Sequence, residues 1–144
     1  MAESSFSYVS YIRTTPEELW AALTDTGFMQ QYWFDMRCES QWTTGSPWRI
    51  VSGSGEVYDT GEIAEATPPR RLVIRWQHQH MPELKAEGLS TCTMDLEPKD
   101  GATKLTITHS IEREASKLIA AVSEGWPQIV SNLKSLMETG TIAM

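Results

Sequence analysis

His109 is the residue whose type and setting most invite chemistry. It alternates with Leu105, Ile107 and Ile111 within residues 104–111, so it faces the apolar side of a strand. An imidazole there can act as general acid or base near neutral pH. The plainer expectation is a core histidine, hydrogen-bonded to a backbone carbonyl or to Glu62 or Asp95. His78 and His80 form a His-x-His pair whose rings fall on one side of a strand, half of a four-ligand metal site. The pair lies at a strand end beside a loop with no third ligand in sight, so solvent exposure is expected and no metal. Asp35, Glu39, Glu62 and Asp95 can include a pocket carboxylate pair, although solvated strand edges are the plainer placement.

Cys38 and Cys92 lie far apart and form neither a CxxC pattern nor a secreted-scaffold pattern, which predicts reduced thiols in a cytoplasmic protein. The chain carries no GxSxG elbow, phosphate loop, HExxH or dinucleotide glycine pattern. An enzyme bringing its own nucleophile or cofactor leaves such a mark, so no cofactor is expected. Six tryptophans in 144 residues are the compositional anomaly. Each brings a large apolar area and one N–H that needs a partner, which suits a core or a pocket wall.

The elements that must position these groups are well punctuated. Phe6, Tyr8, Ser10 and Ile12 share one face of a first strand. Thr14 or Thr15 then caps a helix opening with Pro16, Glu17 and Glu18 and burying Leu19, Trp20 and Leu23. Asp25 or Thr26 starts a second short helix to about residue 32, and residues 33–39 return to extended structure. Strands are predicted at 48–51, 56–66, 71–77, 89–97 and 104–111, separated by Gly45-Ser46-Pro47, Gly53 and Gly55, Pro68-Pro69, and Asp100-Gly101. Residues 112–122 form an acidic, alanine-rich and partly helical lead. A final helix spans 123–140, with Trp126, Ile129, Val130, Leu133, Leu136 and Met137 on one stripe, Pro127 in its first turn and Gly140 closing it. This order predicts one α+β domain over residues 1–144: a curved antiparallel sheet of six to seven strands around a long C-terminal helix, with two short helices after the first strand. A bent sheet and one helix leave a cavity between them.

A formal charge of −7, from 12 basic and 19 acidic side chains, argues against nucleic acid as partner. The longest apolar run, 118–122, is far too short to enter a membrane, and residues 1–10 lack a leader pattern; a soluble, cytoplasmic protein is expected.

Specific stretches carry a family likeness. Tyr11-Ile-Arg-Thr-Thr-Pro-Glu-Glu-Leu-Trp20, Tyr58-Asp-Thr-Gly-Glu-Ile63, Pro68-Pro-Arg-Arg-Leu-Val-Ile-Arg-Trp76, Leu105-Thr-Ile-Thr-His109 and Gly125-Trp-Pro-Gln-Ile-Val130 through Gly140 resemble bacterial proteins related to the activator of Hsp90 ATPase, within the START-like, helix-grip, polyketide-cyclase superfamily. The resemblance implies a deep cavity between sheet and final helix, of the kind used for lipids, polyketides and other apolar molecules. Strand and helix parity place Trp33, Phe34, Trp48, Trp76, His78 and Met94 on its sheet side. Ile107, His109, Trp126, Ile129, Val130 and Leu133 complete the wall, with the 79–88 loop, through Met81 and Leu84, as a lid. The function this supports is binding of a small apolar or aromatic molecule. An Hsp90-activator-like protein-interaction module is the alternative, and a polyketide cyclase or dehydratase using His109 is a further one; the chain is expected to be a monomer or a homodimer.

Overall fold

The computed structural model describes residues 3–144. Its elements run β1 (Ser4–Ile12), α1 (Pro16–Thr24), α2 (Thr26–Tyr32), β2 (Met36–Ser40), β3 (Pro47–Ser52), β4 (Val57–Thr67), β5 (Arg71–His78), α3 (Pro82–Lys85), β6 (Ser90–Lys99), β7 (Ala102–Ile111) and α4 (Lys117–Thr139). The strands form one antiparallel sheet in the order β1-β7-β6-β5-β4-β3-β2, and α4 packs against β1, β7 and α2. The fold is the α+β helix-grip architecture. Alternation explains the pairing: β6 buries Cys92, Met94 and Leu96 while β7 buries Leu105, Ile107, His109 and Ile111. The same parity in β5 turns Leu72, Ile74 and Trp76 inward.

Local signals place the helix starts. The Thr15 hydroxyl accepts from the Glu18 N–H at 3.1 Å, and the Asp25 carboxylate accepts from the Phe28 N–H at 3.0 Å. β2 begins later than expected, because Phe34 and Asp35 take left-handed backbone (φ 52° and 65°) in the turn after α2. The 79–88 segment contains a one-turn helix, α3, which no periodicity announced.

The final helix departs from the sequence expectation. It starts at Lys117, not at residue 123, and Pro127 lies inside it. Its true cap is Ser116, whose Oγ accepts from the Ile119 N–H at 3.1 Å. Glu87, from the loop after α3, adds to the cap: one carboxylate oxygen accepts from Lys117 N at 2.9 Å, the other from Ser116 Oγ at 2.6 Å and Leu118 N at 3.3 Å. A carboxylate on the free N–H groups and positive dipole end of a helix is stabilising there. Burial alone would raise the Glu87 pKa, but the bonds from Ser116, Lys117 and Leu118 together outweigh it and hold the carboxyl below its ordinary range. Pro127 cannot donate to the Ser123 carbonyl, so the α4 ladder is interrupted one residue after Trp126.

Candidate functional site

Packing between sheet and helix is dominated by indoles. Trp48 and Trp76 sit with ring centroids 4.6 Å apart, and Trp126 meets Trp33 edge-on at 5.6 Å and Trp76 at 5.9 Å. These rings fill the centre. The void left among Trp48, Met94, Val130 and Leu133 is only about 20 Å³, room for one water. The deep central cavity expected from the sequence is therefore closed by side-chain volume.

An open cavity does exist, displaced toward the front half of α4. It has about 180 Å³ and is lined by Trp33, Trp76 and Trp126, by Leu84 of α3, by Leu118, Ala121, Val122, Gly125 and Ile129 of α4, and by Asp59 and His78. Five expected residues thus come together: Trp33, Trp76, His78, Trp126 and Ile129. Trp48, Met94, Val130 and Leu133 surround the small void, and Ile107 and His109 are buried in the core without lining either space. Phe34 is half exposed at 49 %, outside both, because its left-handed turn swings it away. Of the loop residues expected over the cavity, Leu84 is among those lining it, while Met81 is exposed. Gly125 faces the cavity from inside a helix, and a Cβ there would meet no atom within 4 Å. A wider depression of about 580 Å³ lies elsewhere, among Glu65, Arg70, Arg71, Asp95 and Glu97. Arg71 pairs there with Asp95 at 3.0 Å and with Glu65 at 3.6 Å, and the wall mixes these charges with Pro16, Pro69, Leu96 and Pro98.

His109 is fully buried with both ring nitrogens engaged. The Trp126 indole N–H donates to Nδ1 at 3.3 Å, and Ser90 Oγ lies 2.8 Å from Nε2. The Ser90 hydroxyl donates to the Trp76 carbonyl at 3.0 Å, so Nε2 carries the imidazole proton and donates to Ser90. Neither Glu62 nor Asp95 reaches this ring. Glu62 pairs with Arg75 at 3.8 Å and Asp95 with Arg71, both on the surface, and Glu39 bonds Arg37 and Arg49. Burial lowers the His109 pKa from 6.5 to about 4.

The pocket carboxylate is Asp59, which the sequence reading missed. It lies directly opposite His78 in the β4–β5 ladder and is 6 % exposed. Its Oδ2 accepts from the Trp76 indole N–H at 2.7 Å and lies 2.9 Å from His78 Nδ1. Burial pushes the Asp59 carboxyl above its ordinary range, against the pull of Trp76 and His78. Gly61 permits this close approach, since a Cβ there would overlap the Arg75 carbonyl on β5. The usable signal was parity: Asp59 shares the inward face of β4 with Ile63 and has no charged neighbour in sequence. His78 is turned inward by Asp59 and only 14 % of its side chain is exposed, contrary to the solvated pair expected, whereas His80 is 37 % exposed and stacks on Tyr58. His78 Nε2 is buried with no partner among the described residues, a state that costs about 1–3 kcal/mol unless something bonds to it. Both cysteines are free and buried.

A seven-stranded antiparallel sheet gripping a C-terminal helix, with an indole-walled cavity between them, defines a START-like helix-grip protein. More specifically, the family model described as activator of Hsp90 ATPase homolog 1-like protein matches residues 13–138, and the chain belongs to that family. Among solved structures it is similar to protein MLL2253 from Mesorhizobium loti, at 23 % identity and a TM-score of 0.80, covering 94 % of this chain and 97 % of that one. CalU16 from Micromonospora echinospora shares 19 % identity at a TM-score of 0.76, over 94 % of this chain and 77 % of that one. PFC0360w from Plasmodium falciparum, described as an HSP90 activator, shares 24 % at a TM-score of 0.73, over 92 % and 94 %. These likenesses show the fold. No curated protein matches the chain.

Proposed function

We propose that this protein binds a small apolar or aromatic molecule in the cavity between β5, α3 and the front half of α4. The observation that carries the reading is an apolar cavity of about 180 Å³ walled by three indoles. An apolar protein cavity of about 150 Å³ is enough to bind benzene. Gly125 supports it further: glycine inside a helix costs about 1 kcal/mol relative to alanine, and no steric reason requires it here. Its effect is room. His109, with both nitrogens engaged, gives an acid–base reaction at that residue no support.

The test is thermal unfolding and titration calorimetry against indole, p-xylene and naphthalene, with fatty acids, flavonoids and sterols as larger comparators. A ligand at one hundred times its Kd stabilises by about 2.7 kcal/mol. Shifts confined to the small aromatics support this cavity; no shift with any compound removes the reading.

A second reading, a protein-interaction or homodimer module, has one observation behind it. β1 is a sheet edge, and Val9 and Tyr11 stand 45 % and 49 % exposed on its outward face. Analytical ultracentrifugation, alone and with Hsp90, tests it.

A further inference from the structure

The cavity wall is apolar except at one place. Trp33, Trp76 and Trp126 supply flat faces, and the polar element is the Asp59–His78 pair. The Asp59 carboxylate lies 2.9 Å from His78 Nδ1 and can only accept there, so in the neutral imidazole the other ring nitrogen, Nε2, presents a lone pair. That nitrogen is buried, and no side chain or backbone group among the described residues reaches it. His80, the neighbouring imidazole, cannot serve it: the rings stand edge to face with centroids 6.5 Å apart, and His80 Nδ1 is engaged 3.3 Å from Glu56. A carboxylate behind an imidazole also strengthens the far nitrogen as an acceptor and fixes its direction. Asp59 is itself held from the other side by the Trp76 indole N–H at 2.7 Å, so the pair is pre-set on adjacent strands. Size gives the other constraint. About 180 Å³ seats one aromatic ring with a short substituent and is well short of the volume of a sterol or a fused polyketide.

We propose, on the basis of the ligand-binding reading above, that Asp59 and His78 form a proton-accepting handle and that the cavity takes compact aromatic molecules bearing a hydrogen-bond donor, of the phenol class. The ring lies among Trp33, Trp76 and Trp126, and its O–H donates to Nε2 of His78. The preference arises because an isosteric methyl group in that position would leave a buried acceptor unmet.

The experiment compares p-cresol with p-xylene, which differ by O–H against CH₃ at nearly equal volume, by titration calorimetry on the full chain. The wild type is expected to bind p-cresol at least about tenfold tighter, and His78→Leu to reverse that order. In ¹⁵N spectra of the wild-type imidazoles, the His78 Nε2 resonance moves on adding p-cresol and stays in place with p-xylene. Equal affinities, or an unmoved Nε2 resonance with p-cresol bound, overturn the handle and leave the cavity reading standing. Binding of neither compound overturns both. Should His78→Leu fail to fold, the wild-type affinity ratio and the Nε2 resonance decide the matter alone.

Discussion

The indole N–H of Trp126 donates to Nδ1 of His109 across 3.3 Å, and this bond joins the middle of α4 to the inward face of β7. It makes His109 an acceptor at Nδ1 and therefore a donor at Nε2, passing the chain on to Ser90 and the Trp76 carbonyl. A second proton on this ring would set donor against donor.

Acid should therefore loosen the fold through His109. Its folded pKa of about 4 lies below the ordinary 6.5, so the folded state binds fewer protons than the unfolded one between those values. Stability is full above pH 6.5 and is lost as the pH falls toward 4, by roughly 3 kcal/mol over the whole gap. Asp59, raised in the folded state, contributes the opposite sign above its ordinary 3.8. Urea unfolding at pH 7 and pH 5 should show a loss of roughly 2 kcal/mol for wild type and a distinctly smaller one for His109→Gln. Identical losses would assign the titration to another group.

Trp126 carries packing and a hydrogen bond, which two substitutions separate. Trp126→Ala is expected to cost about 3–5 kcal/mol through the space it opens beside Trp33 and Trp76. Trp126→Phe keeps an aromatic ring but strands Nδ1 of His109, at about 1–3 kcal/mol. Denaturant midpoints measure both, and an unchanged midpoint for Trp126→Ala would show that it is not a core residue.

Gly125 should reveal a trade between stability and binding. Gly125→Ala is expected to raise stability by about 0.5–1 kcal/mol, because the site is helical and a Cβ meets nothing within 4 Å. Gly125→Leu should fill the cavity and abolish calorimetric binding of small aromatics while the chain stays folded. Retained affinity in that variant would place the ligand elsewhere.

Glu87 should act as a cap at a distance. Glu87→Ala removes acceptors from Ser116, Lys117 and Leu118 and is expected to cost about 1–2 kcal/mol. Hydrogen exchange should quicken at Lys117 and Leu118 and little at Leu133. Uniform acceleration along α4 would mean that the cap supports the whole helix.

Much of the architecture was legible because strand parity is a local property. Leu72, Ile74 and Trp76, or Leu105, Ile107 and His109, declare their faces without reference to the rest of the chain. The start of α4 was not legible in the same way. Pro127 mimics a first-turn proline, while the real capping carboxylate, Glu87, comes from a different loop about thirty residues earlier in the chain. The site suffered similarly. His78 looked solvated until the β4–β5 register set Asp59 opposite it, and no spacing rule supplies that register. Counting tryptophans pointed to indoles between sheet and helix, but parity cannot say whether indoles line a space or occupy it. Here Trp48 and Trp76 occupy the centre, and Trp33, Trp76 and Trp126 leave the room at the edge.

The missing rung at Pro127 gives the molecule two clocks. The front of α4, over the cavity, is fastened by Ser116 and Glu87 at one end and has a break in its ladder at the other. The rear is anchored by the buried Val130 and Leu133. Detaching the front piece gives up the buried contacts of Leu118, Ile119 and Trp126 as well as the cap, yet it leaves the rear in place and so costs less than global unfolding. The fastening of about ten residues thereby sets how often the helix opens over the cavity, and the remainder of the protein sets the lifetime of the fold.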